Sequence, residues 1–291
     1  MEIRVLEYFL AVAREQSISG AAESLHLSQP TLSRQLKDLE DTLGKQLFTR
    51  GNRRITLTEE GMLLRKRAEE IIDLVKKTED EITCSEETVS GDIYIGTGET
   101  DAVRLIARTA RDLRIDYPGI RYRISSGDAA DVVERLDKGL LDFGVLLDPV
   151  DISKYDYLRL PVKDVWGVLM RKDSPLAAKD SIRPQDLWDK PLIFSRQNEL
   201  TAWLKRPPSA LNVAATYNLV YNASLMVEEG LGYAFCLDKI INTTGNSKLC
   251  FRPLTPKLEI GINLVWKKYQ IFSRAAEVFW SAFEEALTSL D

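Results

Sequence analysis

Ser33, Arg34 and Lys37 lie close together in the chain, and Gln29, Pro30 and Thr31 precede them. On a helix, Pro30, Ser33, Arg34 and Lys37 fall at i, i+3, i+4 and i+7 and share one face, with Gln29 and Thr31 at its N-terminal end. Such a face presents amide, hydroxyl, guanidinium and ammonium donors, which suit base edges and phosphate oxygens. Bond-breaking chemistry has much less support. His26 is the only histidine, so a multi-histidine metal site is excluded and any Ser-His-Asp or Cys-His arrangement would depend on that one residue. No GxxxxGK[ST] run occurs, and Gly96-Thr97-Gly98-Glu99-Thr100-Asp101 begins like GxGxxG but ends in Asp. Neither catalytic residues nor a cofactor is expected.

The net charge of −5 at first discourages a polyanionic partner, but its distribution reverses this. Between positions 28 and 57 six basic side chains stand against three acidic ones, so an acidic body carries a local basic patch. Cys84, Cys236 and Cys250 are too few and too scattered for a disulfide framework or a zinc cluster, and read as buried thiols. The opening MEIRVLEYFLAVARE reads as an amphipathic helix rather than a signal peptide. The longest uncharged stretch, Pro207 to Val227, is too polar to span a membrane, which points to a cytoplasmic protein.

The elements that must position the polar face can be read from spacing. Val5, Leu6, Phe9, Leu10 and Ala13 form the buried stripe of a first helix. Ser19 is expected to cap a short helix from Gly20 to Leu25, and Leu27 to point into the core from the turn that follows. Ser28 is expected to cap the next helix, where Pro30 is tolerated in the first turn. Leu32, Leu36, Leu39 and Leu43 are its expected buried stripe, and Gly44 its stop. A Gly51-Asn52 turn then joins two short strand-like runs, with Arg50, Arg53 and Arg54 crowded at the tip. Those arginines repel one another unless an anion such as a phosphate backbone lies alongside. The whole is a winged helix-turn-helix.

The residues Phe9 to Ala13, Ala21-Ala22, Leu27 to Ser33, Leu36, Leu39, Glu40, Leu43-Gly44, Leu47-Phe48, Arg50 and Leu57-Thr58 with Gly61 resemble the N-terminal domain of LysR-type transcriptional regulators. The resemblance is dense over roughly the first sixty residues and looser beyond. It implies that Gln29, Pro30, Thr31, Ser33, Arg34 and Lys37 meet the DNA groove, and that Arg50, Arg53 and Arg54 of the wing grip the backbone. It also implies a linker helix and often a tetramer.

Thr58 can cap that helix, with Glu59 and Glu60 in its first turn. Leu64, Ala68, Ile71, Val75, Thr78 and Ile82 then follow at steps of four and three, a weak heptad seam that suggests at least a homodimer. An amphipathic helix lying on its own domain is the alternative.

From Ser90 onward short apolar runs alternate with helical patterns, a βαβαβ order that predicts a parallel sheet covered by helices. The overall class is therefore α/β, with boundaries at 1–58 for the winged domain, 59–88 for the linker helix and 89–291 for a two-lobed domain. The lobes are expected at roughly 89–160 with 267–291, and at 161–266, with crossings near Leu147 to Val150 and Pro256 to Ile260. This organisation is similar to the effector-binding domain of the same regulators, which resembles periplasmic binding proteins. A small ligand would lie at the strand ends, near Thr97, Gly98, Glu99 and Thr100, near Ser125, Ser126 and Asp128, and near Ser195, Arg196, Thr216 and Tyr217. The family resemblance favours Thr100 and Ser195. The acids Glu99, Asp101 and Asp128 on this rim favour a neutral or amine-bearing ligand, or an anion held by Arg196. The expected function is ligand-responsive transcription regulation with double-stranded promoter DNA, a small effector and copies of the chain as partners. The alternative is a small-molecule binding module whose N-terminal domain serves mainly for dimerisation.

Overall fold

The computed structural model describes residues 1–51, 54–83, 89–196 and 200–288. The chain divides into two compact units, Met1–Thr83 and Cys84–Asp291.

In the first unit, helices α1 (Ile3–Glu15), α2 (Ile18–Ser24) and α3 (Gln29–Leu43) precede a hairpin of β1 (Phe48–Arg50) and β2 (Ile55–Leu57), and α4 (Glu59–Thr83) follows. Phe9, Val12, Ala21, Leu32, Leu36, Leu39 and Leu47 form one core. The caps decide the angles between the helices. Ser17, not Ser19, caps α2: its extended backbone lets Oγ accept from the Gly20 N–H, while Ser19 already lies inside the helix. Ser28 caps α3 by accepting from the Thr31 N–H, and Gly44 ends it in the left-handed region at φ +64°. Leu43, expected in the buried stripe, is 41% exposed, because the helix ends there and its core contacts stop at Leu39.

The hairpin is tied down at its base. One carboxylate oxygen of Glu40 accepts from the Leu47 and Phe48 N–H groups at 2.7 and 3.2 Å, and the Gln16 carbonyl accepts from the Ile55 N–H. Thr58 caps α4 through the Gly61 N–H and also donates to the Gln46 carbonyl. Gly61 is forced here: a Cβ would lie 2.1 Å from the Leu47 carbonyl oxygen. Along α4 the expected heptad divides. Ala68 and, outside that seam, Ile72 are buried in the unit's own core, whereas Ile71, Leu74 and Ile82 are exposed, Ile82 by 78%.

The second unit is built on a single sheet. Strands β3 (Ser90–Thr97), β4 (Gly119–Ser126) and β5 (Phe143–Leu147) are parallel, with β3 central. They alternate with α5 (Val103–Asp116) and α6 (Ala129–Asp137). The 17-residue β6 (Tyr155–Arg171) follows, then β7 (Leu192–Ser195), α7 (Thr201–Leu204), β8 (Val213–Tyr217), α8 (Val220–Glu228), β9 (Tyr233–Leu237), β10 (Leu249–Pro253), β11 (Glu259–Lys267) and α9 (Arg274–Thr288). The strand order is β4-β3-β5-β11-β6-β9-β7-β8, with β10 on the other side of β6.

Two cores sit on this sheet. One gathers Ile93, Ile95, Phe143, Ile262, Leu264, Phe279 and Phe283, and the other Val168, Ile182, Leu192, Phe194, Leu204 and Phe235. They correspond to two lobes whose division differs from the sequence expectation. The strand at Ile262–Trp266, expected in the second lobe, is hydrogen bonded between β5 and the first half of β6, so it belongs to the first. The forward crossing is not at Leu147 to Val150 but inside β6, which pairs with β11 up to Val165 and with β9 from Trp166. No described helix is long and apolar enough to cross a membrane.

Candidate nucleic-acid interface and effector cleft

The two faces of α3 are chemically distinct. Leu32, Leu36 and Leu39 are buried, while Gln29, Pro30, Thr31, Arg34 and Lys37 are exposed and Ser33 is half-buried. The Thr31 hydroxyl lies 2.7 Å from that of Ser28, so it is engaged at the cap. Arg34 and Lys37 have no hydrogen bond or ion pair among the described residues, which leaves both cations available to a partner. Arg54 is exposed at the hairpin, and Arg50 stands at the end of β1, where its backbone pairs with Ile55. Arg53 and Asn52 lie outside the described residues.

The ligand residues expected in the second unit separate into groups. Thr97 is buried at the end of β3, and its hydroxyl donates to the Gly98 carbonyl. Gly98 lies beside Leu147, whose Cδ1 a Cβ would meet at 3.2 Å. Thr100 is buried, and its Oγ1 accepts from the Ala102 N–H. Ser125 is half-buried and Ser126 exposed at the end of β4. Asp128 caps α6 in a reciprocal box with Asp131, so its carboxylate is already used. Ser195 closes β7 half-buried, and Arg196 is exposed just after it. Thr216 and Tyr217 lie within β8 rather than after it. Tyr217 is buried and donates to the Phe235 carbonyl at 2.6 Å, which makes it a core contact and not a free ligand group.

Glu99 is the residue that joins the lobes. Its Oε2 accepts from the Val220 N–H at 2.6 Å, at the first residue of α8. Leu219, the local cap residue, has no side chain able to do this, so the first lobe supplies the cap of a second-lobe helix. Burial raises the Glu99 pKa above the usual glutamate range, and the Val220 hydrogen bond opposes that shift.

Sequence reasoning missed Asp164. It lies on β6 opposite Ile260, where the strand changes lobes, and is 7% exposed. Its Oδ2 has no hydrogen-bond partner among the described residues. Burial raises its pKa, aided by Asp101 and Asp238, against the Thr100 hydroxyl and the Lys239 ammonium. Thr100 and Asp101 come from the first lobe, Asp238 and Lys239 from the end of β9, so the carboxylate stands between the two. The trace in the sequence is an acid beside Lys163 inside a mostly apolar strand, LPVKDVWGVLM.

Two surface hollows of about 480 and 500 Å³ are lined by none of these residues. In the first, the Arg252 guanidinium is taken up by the carbonyls of Ala177, Lys179 and Phe251. Cys236 is buried, and burial pushes its thiol up to about 12; burial raises Cys250 as well. Cys84 lies outside the described residues.

A helix-turn-helix with a wing on one unit, and a two-lobed sheet with an interlobe site on the other, define a DNA-binding regulator with a separate effector-binding domain. Residues 3–62 match the bacterial regulatory helix-turn-helix protein, lysR family, and residues 86–288 match the LysR substrate binding domain. The chain belongs to the LysR family of transcriptional regulators. It is 33% identical to the HTH-type transcriptional regulator BsdA of Bacillus subtilis over 67% of each protein. It is 27% identical to the Hca operon transcriptional activator HcaR of Escherichia coli K12, over 100% of this chain and 99% of that one. The fold is that of CbnR, a LysR family transcriptional regulator, with a TM-score of 0.77 at 18% identity over 99% of both chains. Full-length CbnR complexed with its target DNA gives a TM-score of 0.76 at 18% identity, over 98% of this chain and 100% of that one.

Proposed function

We propose that α3 enters the major groove of double-stranded promoter DNA, with Gln29, Pro30, Thr31, Ser33, Arg34 and Lys37 at the groove and Arg50, Arg53 and Arg54 on the phosphate backbone. Support comes above all from the exposed Arg34 and Lys37, without an ion pair among the described residues, on a helix whose other face buries three leucines. The chain acts as a homodimer or homotetramer, for which the exposed Ile71, Leu74 and Ile82 of α4 supply an apolar strip. Doubling the small basic patch raises affinity and lengthens the site. Residues 1–58 bind DNA, 59–88 link and 89–291 bind the effector. The effector sits between the lobes near Thr97 to Thr100, Ser126, Ser195 and Arg196, and shifts the balance of two arrangements of the paired wings. The protein works in the cytoplasm and catalyses no reaction.

Capture of sheared genomic DNA by the full chain, at low and near-physiological salt, tests the reading. Discrete sites that survive the higher salt and share half-sites a helical turn apart are the expected result. Uniform binding that vanishes with salt would mean phosphate attraction alone and overturn it.

A further inference from the structure

The cleft has already filled its own anion position. A helix N-terminus favours negative charge, and at α8 that place is held by Glu99, a carboxylate of the opposite lobe, at 2.6 Å from the Val220 nitrogen. An incoming carboxylate would have to displace it. Independently, the lobe-crossing strand offers a carboxylate that the Thr100 hydroxyl engages and whose second oxygen has no donor among the described residues. Asp164 is 93% removed from solvent, and its Oδ2 lacks any donor among the described residues. A buried carboxylate oxygen without a donor is costly, and a cation with N–H groups relieves that cost.

The charges around Asp164 point the same way. Asp101 and Asp238 add negative charge from either lobe. Arg104 is committed to Asp101 at 2.8 Å. Lys239 is the cation nearest to hand, but its side chain is exposed and does not bond to Asp164. A primary ammonium carries three donors and no acceptor, which suits an unpartnered carboxylate oxygen beside the Thr100 hydroxyl.

We propose that the effector of this chain is a small cation, a protonated amine whose ammonium binds Asp164 between the lobes while Glu99 keeps the anion position at α8 closed. The inference rests on the reading of the cleft as the effector site and adds the charge of the ligand.

The test uses the full chain and shape-matched probes of opposite charge at constant ionic strength: benzylamine against benzoate, and 1,4-diaminobutane against succinate. Thermal unfolding is followed at millimolar probe. At least one amine should raise the melting temperature of the wild type by about 2–4 °C, as expected for roughly 1 kcal/mol of binding linkage in a chain of this size. The matched carboxylate should give no shift. Asp164→Asn should abolish the amine shift, and its unliganded melting temperature should equal or exceed that of the wild type, because a buried charge has been removed. The proposal is overturned by a carboxylate shift that equals or exceeds the amine shift, by no shift from either amine, or by an amine shift that survives Asp164→Asn. The matched pairs are compared on the wild type alone, so the result stands even if the variant does not fold. Binding of captured DNA by the same preparation reports on the regulator reading separately. Intact site-specific binding without an amine response would sink the cation inference and leave the regulator.

Discussion

In the first unit the candidate interface is one unbroken stretch, Gln29 to Lys37, laid out by a single helix. In the second it is assembled from Glu99, Asp164 and Val220, with Thr100, Asp101, Asp238 and Lys239 around them, drawn from four separate segments. The first presents polar groups by covering the opposite face of the helix with leucine. The second presents them by bringing two lobes together and leaving one oxygen of a buried acid without a donor among the described residues. The difference lies in where the desolvation cost falls. Arg34 and Lys37 stand in water, whereas Glu99 and Asp164 are already partly or wholly withdrawn from it. An interface of the first kind should fail through loss of contacts, and one of the second kind through changes in charge and lobe closure.

The largest loss is expected at Gly61. Gly61→Ala places a methyl 2.1 Å from the Leu47 carbonyl, and backbone cannot yield as a flexible side chain would. A loss of about 1–3 kcal/mol or more is expected, read as a lower first melting transition and weakened DNA binding. A variant that melts and binds like the wild type would show that the entry of α4 is not fixed as described.

Arg34→Ala and Arg54→Ala sharpen the contrast within the first unit. The former should cost about 1–3 kcal/mol on the preferred site and relax the choice at one base pair. The latter should weaken every sequence alike and lower the salt slope by roughly 0.9. Equal, sequence-independent losses from both would remove Arg34 from the base-reading role.

In the second unit Glu99→Ala should cost about 1 kcal/mol, the usual worth of a cap. Hydrogen exchange at the Val220 amide should speed up about fivefold, while amides in β3 stay protected. Unchanged exchange at Val220 would mean that the lobe-bridging cap is not formed in solution.

The smallest effect is expected at Asp92, which joins Arg121 and Arg123 at 2.5 and 2.7 Å across β3 and β4. Burial works to raise its pKa, but the two guanidinium hydrogen bonds outweigh it and hold the carboxyl below the usual aspartate range. A carboxyl depressed in the folded state adds stability that is full above its unfolded pKa and lost as pH falls through the folded value. Asp92→Asn should therefore melt slightly lower than the wild type at neutral pH, and the gap should close in acid. A gap independent of pH would argue against the ion pair as its source.

Sequence by itself determined the helix-turn-helix, because each requirement there is local. The leucine spacing sets the buried face of α3, Ser28 and Gly44 set its ends, and the polar face follows from what remains. The alternation of β and α in the second unit was legible for the same reason. Ser19 and Leu43 were misplaced by one or two residues at helix ends, where periodicity no longer discriminates. Tertiary structure decided the rest. It placed β11 in the first lobe through its ladder with β5, a pairing across more than a hundred residues that no local pattern encodes. It divided the α4 stripe between the unit's own core and an exposed strip. It turned Tyr217 and Asp128 from candidate ligands into structural contacts, by supplying the Phe235 carbonyl and the first turn of α6. It also brought Glu99 to the N-terminus of a helix 121 positions along the chain and left Asp164 between the lobes. Hydrogen-bond partners of buried polar groups are set by which segments meet in space, so a site made of such groups becomes visible only once the chain has folded.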